Sequence, residues 1–302
     1  MQSLLPSKIV SALSYVNISK LCEIRLRVDK SVIVNISGKL YFLTPYGVSD
    51  SCENAIFINR LDIEYVISKA SNNSLYTIND QIINGYIACK GGIRIGIAGE
   101  FVYTNGVIRT LKNIQALNIR IPHEVNGCSL RVFRYLEKNN TIYNTLILSS
   151  AGAGKTTFIR DLAKQILRNS DGLINLLIVD ERCEITGISD GNVAFEGFNC
   201  DILSNCTKVY AFDNGIRSLR PDIIITDELS VKDVDCIVNA VTCGVKVIAT
   251  VHAENILDLK NKADFKYILD NKLFDRYVVL GSSEGIGTIM GVYNEELECI
   301  GI

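Results

Sequence analysis

Apolar and polar positions follow two different rhythms along this chain. Over residues 1–135 the runs are short and mixed. Glu23–Val28 and Val32–Ile36 alternate with a period of two, which predicts half-buried strands, and Ser37-Gly38 makes a turn before a third strand at Leu40–Leu43. Asp62–Ser71 has helical spacing, and Asp80–Ile87 predicts a short helix leading to Gly91-Gly92. Ile93–Val102 alternates again, with Gly96 and Gly99 inside it. Glycine within a strand points to a bulge or to the close approach of another backbone. A helix from about Leu130 to Lys138 and the polar tract Lys138-Asn139-Asn140-Thr141 follow.

From residue 144 the rhythm becomes strand, helix, strand, helix. Thr145–Leu148, Leu176–Val179, Ile223–Thr226 and Val245–Val251 read as buried strands. Thr156–Leu167 places Phe158, Ile159, Leu162, Ala163, Ile166 and Leu167 on one helical face, and Val231–Val241 does the same with Val234, Ile237, Val238 and Val241. This alternation predicts an α/β domain with a mostly parallel sheet, residues 136–302, preceded by a smaller α+β domain, residues 1–135. The boundary is expected near 122–141.

Composition narrows the classes. The chain has 302 residues, 48% hydrophobic and 21% charged, which excludes a disordered chain, a coiled coil and a collagen-like fibre. Lys and Arg number 31 against 33 Asp and Glu, a net charge of -2, so binding of nucleic acid through bulk charge is not expected. Apolar runs such as Leu173–Val179 and Ile223–Ile225 fall short of the roughly 18–20 residues of a membrane span. The opening MQSLLPSKIV has no basic residue before its apolar part and no small-residue cleavage site, so no signal peptide is expected. Ten cysteines are scattered singly, without any C-x-x-C, and the histidines are His123 and His252. Reduced thiols acting as small hydrophobes fit this spacing, and a zinc site does not.

The chemistry concentrates in the second half. Ser149-Ser150-Ala151-Gly152-Ala153-Gly154-Lys155-Thr156-Thr157 lies between a buried strand and an amphipathic helix, the context a phosphate-binding loop needs. Small residues let the backbone wrap a phosphate with its N–H groups pointing inward, and the helix start adds partial positive charge. Lys155 is placed to reach the β- and γ-phosphates, and the Thr156 hydroxyl to ligate Mg2+. Ser149 stands where the G-x-x-x-x-G-K-[ST] pattern has glycine.

Two strands end in carboxylate pairs, Asp180-Glu181 and Asp227-Glu228. Ligands of open parallel sheets bind at the carboxyl ends of the strands, so both pairs are expected at one nucleotide. An Asp, Asp180 or Asp227, can hold a water on Mg2+, and a Glu, Glu228 or Glu181, can orient the attacking water. His252 ends another strand and reads as a sensor of the γ-phosphate. Two further patterns carry less. Asn261-Lys262-Ala263-Asp264 matches the N-K-x-D of GTPases but lies in a charged helical stretch, without a D-x-x-G after either acidic strand. The glycine run at 285–291 reads as a hairpin.

This order of motifs resembles the secretion ATPases of type II and type IV systems, a RecA-like branch of P-loop proteins. Leu219-Arg220-Pro221-Asp222 is similar to their entry into the second acidic strand. The closer resemblance is to the stage III sporulation protein AA family. It rests on Glu23–Arg27, on residues 74–100 and 110–127, and on VDERCEITG (179–187), LSNCTKVYAF (203–212) and RSLRPDIIITDEL (217–229). The resemblance implies an ATPase that uses ATP and Mg2+. It implies a homo-oligomeric, hexameric ring in the mother-cell cytoplasm, held peripherally at the membrane by proteins of the mother cell–forespore channel complex. It carries P-loop roles to Lys155 and Thr156, the Walker B role to Asp227 and Glu228, the acidic-box role to Asp180 and Glu181, and the histidine role to His252. An arginine from another domain or subunit would complete the site, with Arg94, Arg120, Arg131, Arg182 and Arg217 as candidates. The alternatives are an ATP-binding ring scaffold with little turnover and a RecA-like DNA motor.

Overall fold

The computed structural model describes residues 1–71, 82–83, 85–138, 141–188, 191–282 and 287–302. Its contacts divide the chain into two units, Met1–His123 with Gly187–Ala194, and Glu124–Thr186 with Phe195–Ile302.

The first unit is built on a seven-stranded antiparallel sheet. Its order is Gly47–Ser49, Lys39–Thr44, Ile33–Ile36, Leu21–Arg27, Val107–Arg120, Ile93–Thr104, Tyr86–Cys89. Ile24, Leu26, Val34, Leu117 and Ile119 are buried with Ile9, Ala12 and Leu13 of the helix Ser7–Leu13, a helix the sequence pattern did not announce. The helix Arg60–Ala70 adds Ile63, Val66 and Ile67. It starts at a capping box in which Asn59 and Asp62 satisfy each other's backbone N–H groups.

The helix expected over 80–87 falls partly outside the described residues, and Tyr86 and Ile87 lie in a strand instead. That strand turns through Gly91 and Gly92, both at positive φ, into Ile93–Thr104. Gly99 is a true close approach. A β-carbon there would stand 2.7 Å from the Lys112 carbonyl oxygen, where the strand register shifts.

The second unit is a mixed eight-stranded α/β sheet. Six strands run parallel in the order Asp201–Ser204, Leu176–Asp180, Ile223–Thr226, Lys246–His252, Thr145–Ser149, Arg276–Gly281. Thr288–Tyr293 and Cys299–Gly301 extend it antiparallel, so the run at 285–291 enters a hairpin strand, its first two residues outside the described set. Successive residues of the central strands feed two different cores. Leu146, Leu148, Leu177, Val179, Ile224 and Val247 face one, and Ile147, Ile178, Ile223, Ile225 and Ile248 face the other. Burial on both faces explains why these strands read as continuous apolar runs.

Helices Lys155–Asn169, Lys208–Leu219 and Val234–Thr242 supply the layers over the sheet. Gly215 sits inside the second of these, where glycine costs about 1 kcal/mol against alanine. Its place is explained by contact: a β-carbon would lie 2.3 Å from Leu177 Cδ2, a fully buried strand side chain. Gly215→Ala is therefore expected to destabilise the fold by about 1–3 kcal/mol through overpacking, despite its better helix propensity, as read by urea unfolding. Equal or greater stability would contradict this close contact of helix and sheet. The N-K-x-D run does not directly follow a strand: it ends a helix, Ile256–Asn261, and enters a 3-10 turn, Ala263–Phe265.

Candidate nucleotide site

The candidate phosphate loop leaves the sheet at Ser149 and enters the helix at Lys155. Gly152 and Gly154 have φ of +76° and +93°, which glycine adopts at least cost. Ser149 is the last residue of an ordinary strand and is not left-handed, so the position asks for no glycine. Its hydroxyl donates to the Ser150 carbonyl at 2.8 Å. The buried Lys155 ammonium donates to the Ser149 carbonyl at 2.9 Å and the Ser150 carbonyl at 3.3 Å, folding back over the loop. Burial holds its pKa below the ordinary lysine value, against the opposing charge of Glu228, and Lys262 adds to the lowering. Ala151 and Gly152 are exposed, while Ser150, Gly154, Thr156 and Thr157 are half-buried and Ala153 is buried.

The two acidic strand ends lie side by side, with Val179 opposite Thr226 in the parallel register. Their four carboxylates have four different situations. Asp180 is fully buried, and both its oxygens are taken by the loop that follows. One accepts from the Glu184 and Ile185 N–H groups, at 2.8 and 3.1 Å, and the other from the N–H and hydroxyl of Thr186, at 2.8 and 2.6 Å. Glu181 accepts from the Lys208 ammonium at 2.7 Å. Asp227 is 3% exposed, and its Oδ1 has no hydrogen-bond partner among the described residues. Burial pushes its pKa up to about 7. Lys208 opposes that rise, and the charges of Asp180, Glu184 and Glu228 add to it.

Glu228 is half-exposed and accepts from Arg182 at 3.2 Å. Its backbone has φ of +27°, a strained value for a residue with a β-carbon. Thr250 imposes it. The Thr250 hydroxyl accepts from the Glu228 N–H at 2.8 Å, and its carbonyl accepts from Leu229 N–H at 2.8 Å.

His252 stands opposite Ser149 in the register of the neighbouring strand. That strand is inserted between the loop strand and the second acidic strand, so Ser149, His252 and Asp227-Glu228 come to one edge of the sheet. The His252 carbonyl accepts from Lys262. Of the candidate arginines in this unit, Arg182 touches an acidic strand end, Arg217 pairs with Asp213 on an exposed helix surface, and Arg131 is exposed on the helix Leu130–Leu136. Arg94 and Arg120 belong to the first unit. Lys208, Thr250 and Lys262 were not singled out as site residues from the sequence. Lys208 looks like an ordinary helix-start lysine, Thr250 like one more position of an apolar strand, and Lys262 was visible only within the GTPase-like decoy.

The residues fit a nucleotide with its metal. Among the described residues no three His, Cys, Asp or Glu side chains converge on a protein-only metal site. Mg2+ is commonly held by one or two protein oxygens together with substrate phosphates, and a buried carboxylate oxygen without a partner suits that arrangement.

The same unpartnered oxygen predicts how stability depends on pH. The native state keeps the Asp227 proton up to about pH 7, whereas the unfolded chain releases it near the ordinary 3.8. The native state therefore binds more protons between those values, and stability falls as pH rises across that window. Without nucleotide, Asp227→Asn is expected to be more stable than the parent at pH 8, by up to about 4 kcal/mol, with the gap closing towards pH 4. Urea unfolding at both pH values checks this, and a gap independent of pH would contradict it.

The family described as Sporulation stage III, protein AA, matches residues 2–300. The chain belongs to that family. Stage III sporulation protein AA of Bacillus subtilis (strain 168) is 33% identical over 281 residues, which cover 91% of this chain and 87% of that one. A second relative by sequence, the uncharacterized protein ycf45 of Cyanidium caldarium, is 27% identical over 154 residues, 49% of this chain and 43% of its own. Among solved structures, the ATPase DotB of Yersinia pseudotuberculosis matches with a TM-score of 0.57 at 16% identity, covering 92% of this chain and 76% of that one. The DotB of Legionella pneumophila matches with 0.55 at 12%, covering 86% and 72%. At these identities the likeness is one of fold, which this chain shares with those two ATPases. No helix among the described residues is long and apolar enough to cross a membrane.

Proposed function

We propose that the protein is a Mg2+-dependent ATP hydrolase of the secretion-ATPase type, serving the membrane complex between mother cell and forespore. The observation that carries this reading is a phosphate loop capped by a buried lysine on the same sheet edge as a buried, unpartnered aspartate oxygen. Thr156 and Asp227 would hold the metal, which supplies charge neutralisation on the phosphate oxygens. Lys155 exchanges its two loop carbonyls for phosphate oxygens. The loop N–H groups and the start of the helix Lys155–Asn169 hold the phosphate chain in place. Glu228 orients the attacking water, and His252 reads the γ-phosphate from the next strand end. Asp180 shapes the loop after the first acidic strand through its four hydrogen bonds. Catalysis of this kind is positioning and charge stabilisation rather than covalent chemistry.

Glu228 is the better water-orienting group than Glu181 on two counts. Its side-chain partner among the described residues is an exposed arginine, and exposed pairs of that kind are worth about 0–1 kcal/mol. Glu181 is tied to a buried ammonium.

The loop side of the site supplies cations to one side of the γ-phosphate. In this reading the chain works as a homo-oligomeric ring, hexameric, in which Arg94, Arg120 or Arg131 of another subunit faces the nucleotide. The N-terminal unit contacts subunits or membrane proteins of the channel complex from the cytoplasmic side. Specific ATPase activity should then rise with protein concentration, and a non-hydrolysable analogue should favour the larger species in light scattering. A fully active, strictly monomeric protein at every concentration would remove the ring from this account.

A further inference from the structure

Lys208 opens the helix Lys208–Leu219, directly after the capping residue Thr207, whose hydroxyl accepts from Tyr210 N–H. A lysine in the first turn of a helix ordinarily extends into water, because the helix start already carries positive charge. Here the side chain is 6% exposed. An ammonium is buried at large cost unless carboxylates compensate it. Two lie within ion-pair distance, one from each acidic strand end, and are held differently, while the charge of Asp233 adds to theirs. Glu181 Oε2 lies 2.7 Å away in a hydrogen bond. Asp227 Oδ1 lies 3.8 Å away, close enough for charge and too far for a hydrogen bond. The ammonium thus compensates the Asp227 charge and leaves the Oδ1 lone pairs unused. The other two carboxylates are engaged elsewhere, Asp180 with its loop and Glu228 with Arg182.

We propose that Lys208 is a positioning residue of the ATP site. Its buried ammonium fixes the Glu181 carboxylate and supplies the counter-charge that keeps Asp227 at the sheet edge with an oxygen on offer. This deepens the reading of the site as an ATP hydrolase and rests on it. Without the ammonium, Glu181 is released to solvent. Asp227 then remains among the charges of Asp180, Glu184 and Glu228 without the Lys208 charge that opposes them. The phosphate loop, residues 149–157, is not touched by the change.

The test is steady-state hydrolysis of Mg·ATP by full-length Lys208→Met, Glu181→Gln and the double variant, each shown to be folded by thermal unfolding. Lys208→Met is expected to lower kcat by about 10–100-fold and to leave KM for ATP within about threefold. The double variant should fall no more than about threefold below the slower single one, because both changes break the same pair. If Lys208→Met does not fold, Lys208→Gln, which keeps a donor to Glu181 and removes the charge, is judged by the same criteria. Parental kcat in a folded variant of lower melting temperature would make Lys208 merely structural and overturn the proposal. Independent, multiplying losses in the double variant would overturn it as well. A parent that hydrolyses no ATP would fail the reading beneath it, and an active parent with an equally active Lys208 variant would fail this inference alone.

Discussion

Lys155→Ala is expected to lose tight binding of Mg·ATP, by about two to three orders of magnitude. The ammonium is the buried cation of the loop itself and already sits on the two carbonyls at its mouth. Hydrogen bonds from a charged donor contribute about 1.5–3 kcal/mol each, and two to phosphate oxygens come to roughly 3–6 kcal/mol, the lower part of which corresponds to that loss. The variant should fold. Lysine desolvation weighs against the native state at this position, and its removal offsets the two lost carbonyl contacts. Equilibrium binding of a fluorescent ATP analogue, with thermal unfolding as the control, checks this. A variant that binds as tightly as the parent would remove the phosphate-loop assignment.

Glu228→Gln should separate binding from chemistry. The change keeps shape and removes the acceptor charge, so ATP binding should stay within about threefold of the parent while kcat falls by about 10²–10⁴-fold. The Thr250 bonds that set the backbone are made to main-chain N–H groups and survive the substitution. Glu181→Gln is expected to act more mildly, through its bond to Lys208. Normal hydrolysis by Glu228→Gln together with its loss in Glu181→Gln would reverse the two roles.

Much of this site was legible before the structure, and the reasons are local. A phosphate loop is a contiguous segment flanked by elements with clear periodicity, so residues 149–157 were readable as a unit. The acidic strand ends were legible because buried parallel strands give unbroken apolar runs that stop abruptly at the carboxyl edge of the sheet. What could not be read is what sequence-distant groups do to those residues. The helix Lys155–Asn169 has an apolar face by pattern, yet Arg160, Asp161, Lys164 and Gln165 are also buried. Asp161 accepts from Gly127 N–H and from the N–H and hydroxyl of Ser129, and Arg160 donates to the Glu184 and Ile185 carbonyls beneath the Phe195 ring. Those hydrogen-bond partners lie 24 to 34 residues away in the chain. Lys208 escaped for the same reason, since nothing local distinguishes a buried helix-start lysine from a solvated one. Glu181 and Glu228 differ in the burial of their partners, Lys208 and Arg182, which spacing does not encode.

The central claim is turnover at this loop, and phosphate release tests it most directly. The parent and Lys155→Ala are incubated with Mg·ATP across a range of protein concentrations, and inorganic phosphate is counted per chain. The account predicts many phosphates per parent chain, a rate per chain that climbs with concentration, and none above background from Lys155→Ala. A parent that binds ATP yet releases no phosphate at any concentration would contradict it and leave the protein a nucleotide-binding scaffold.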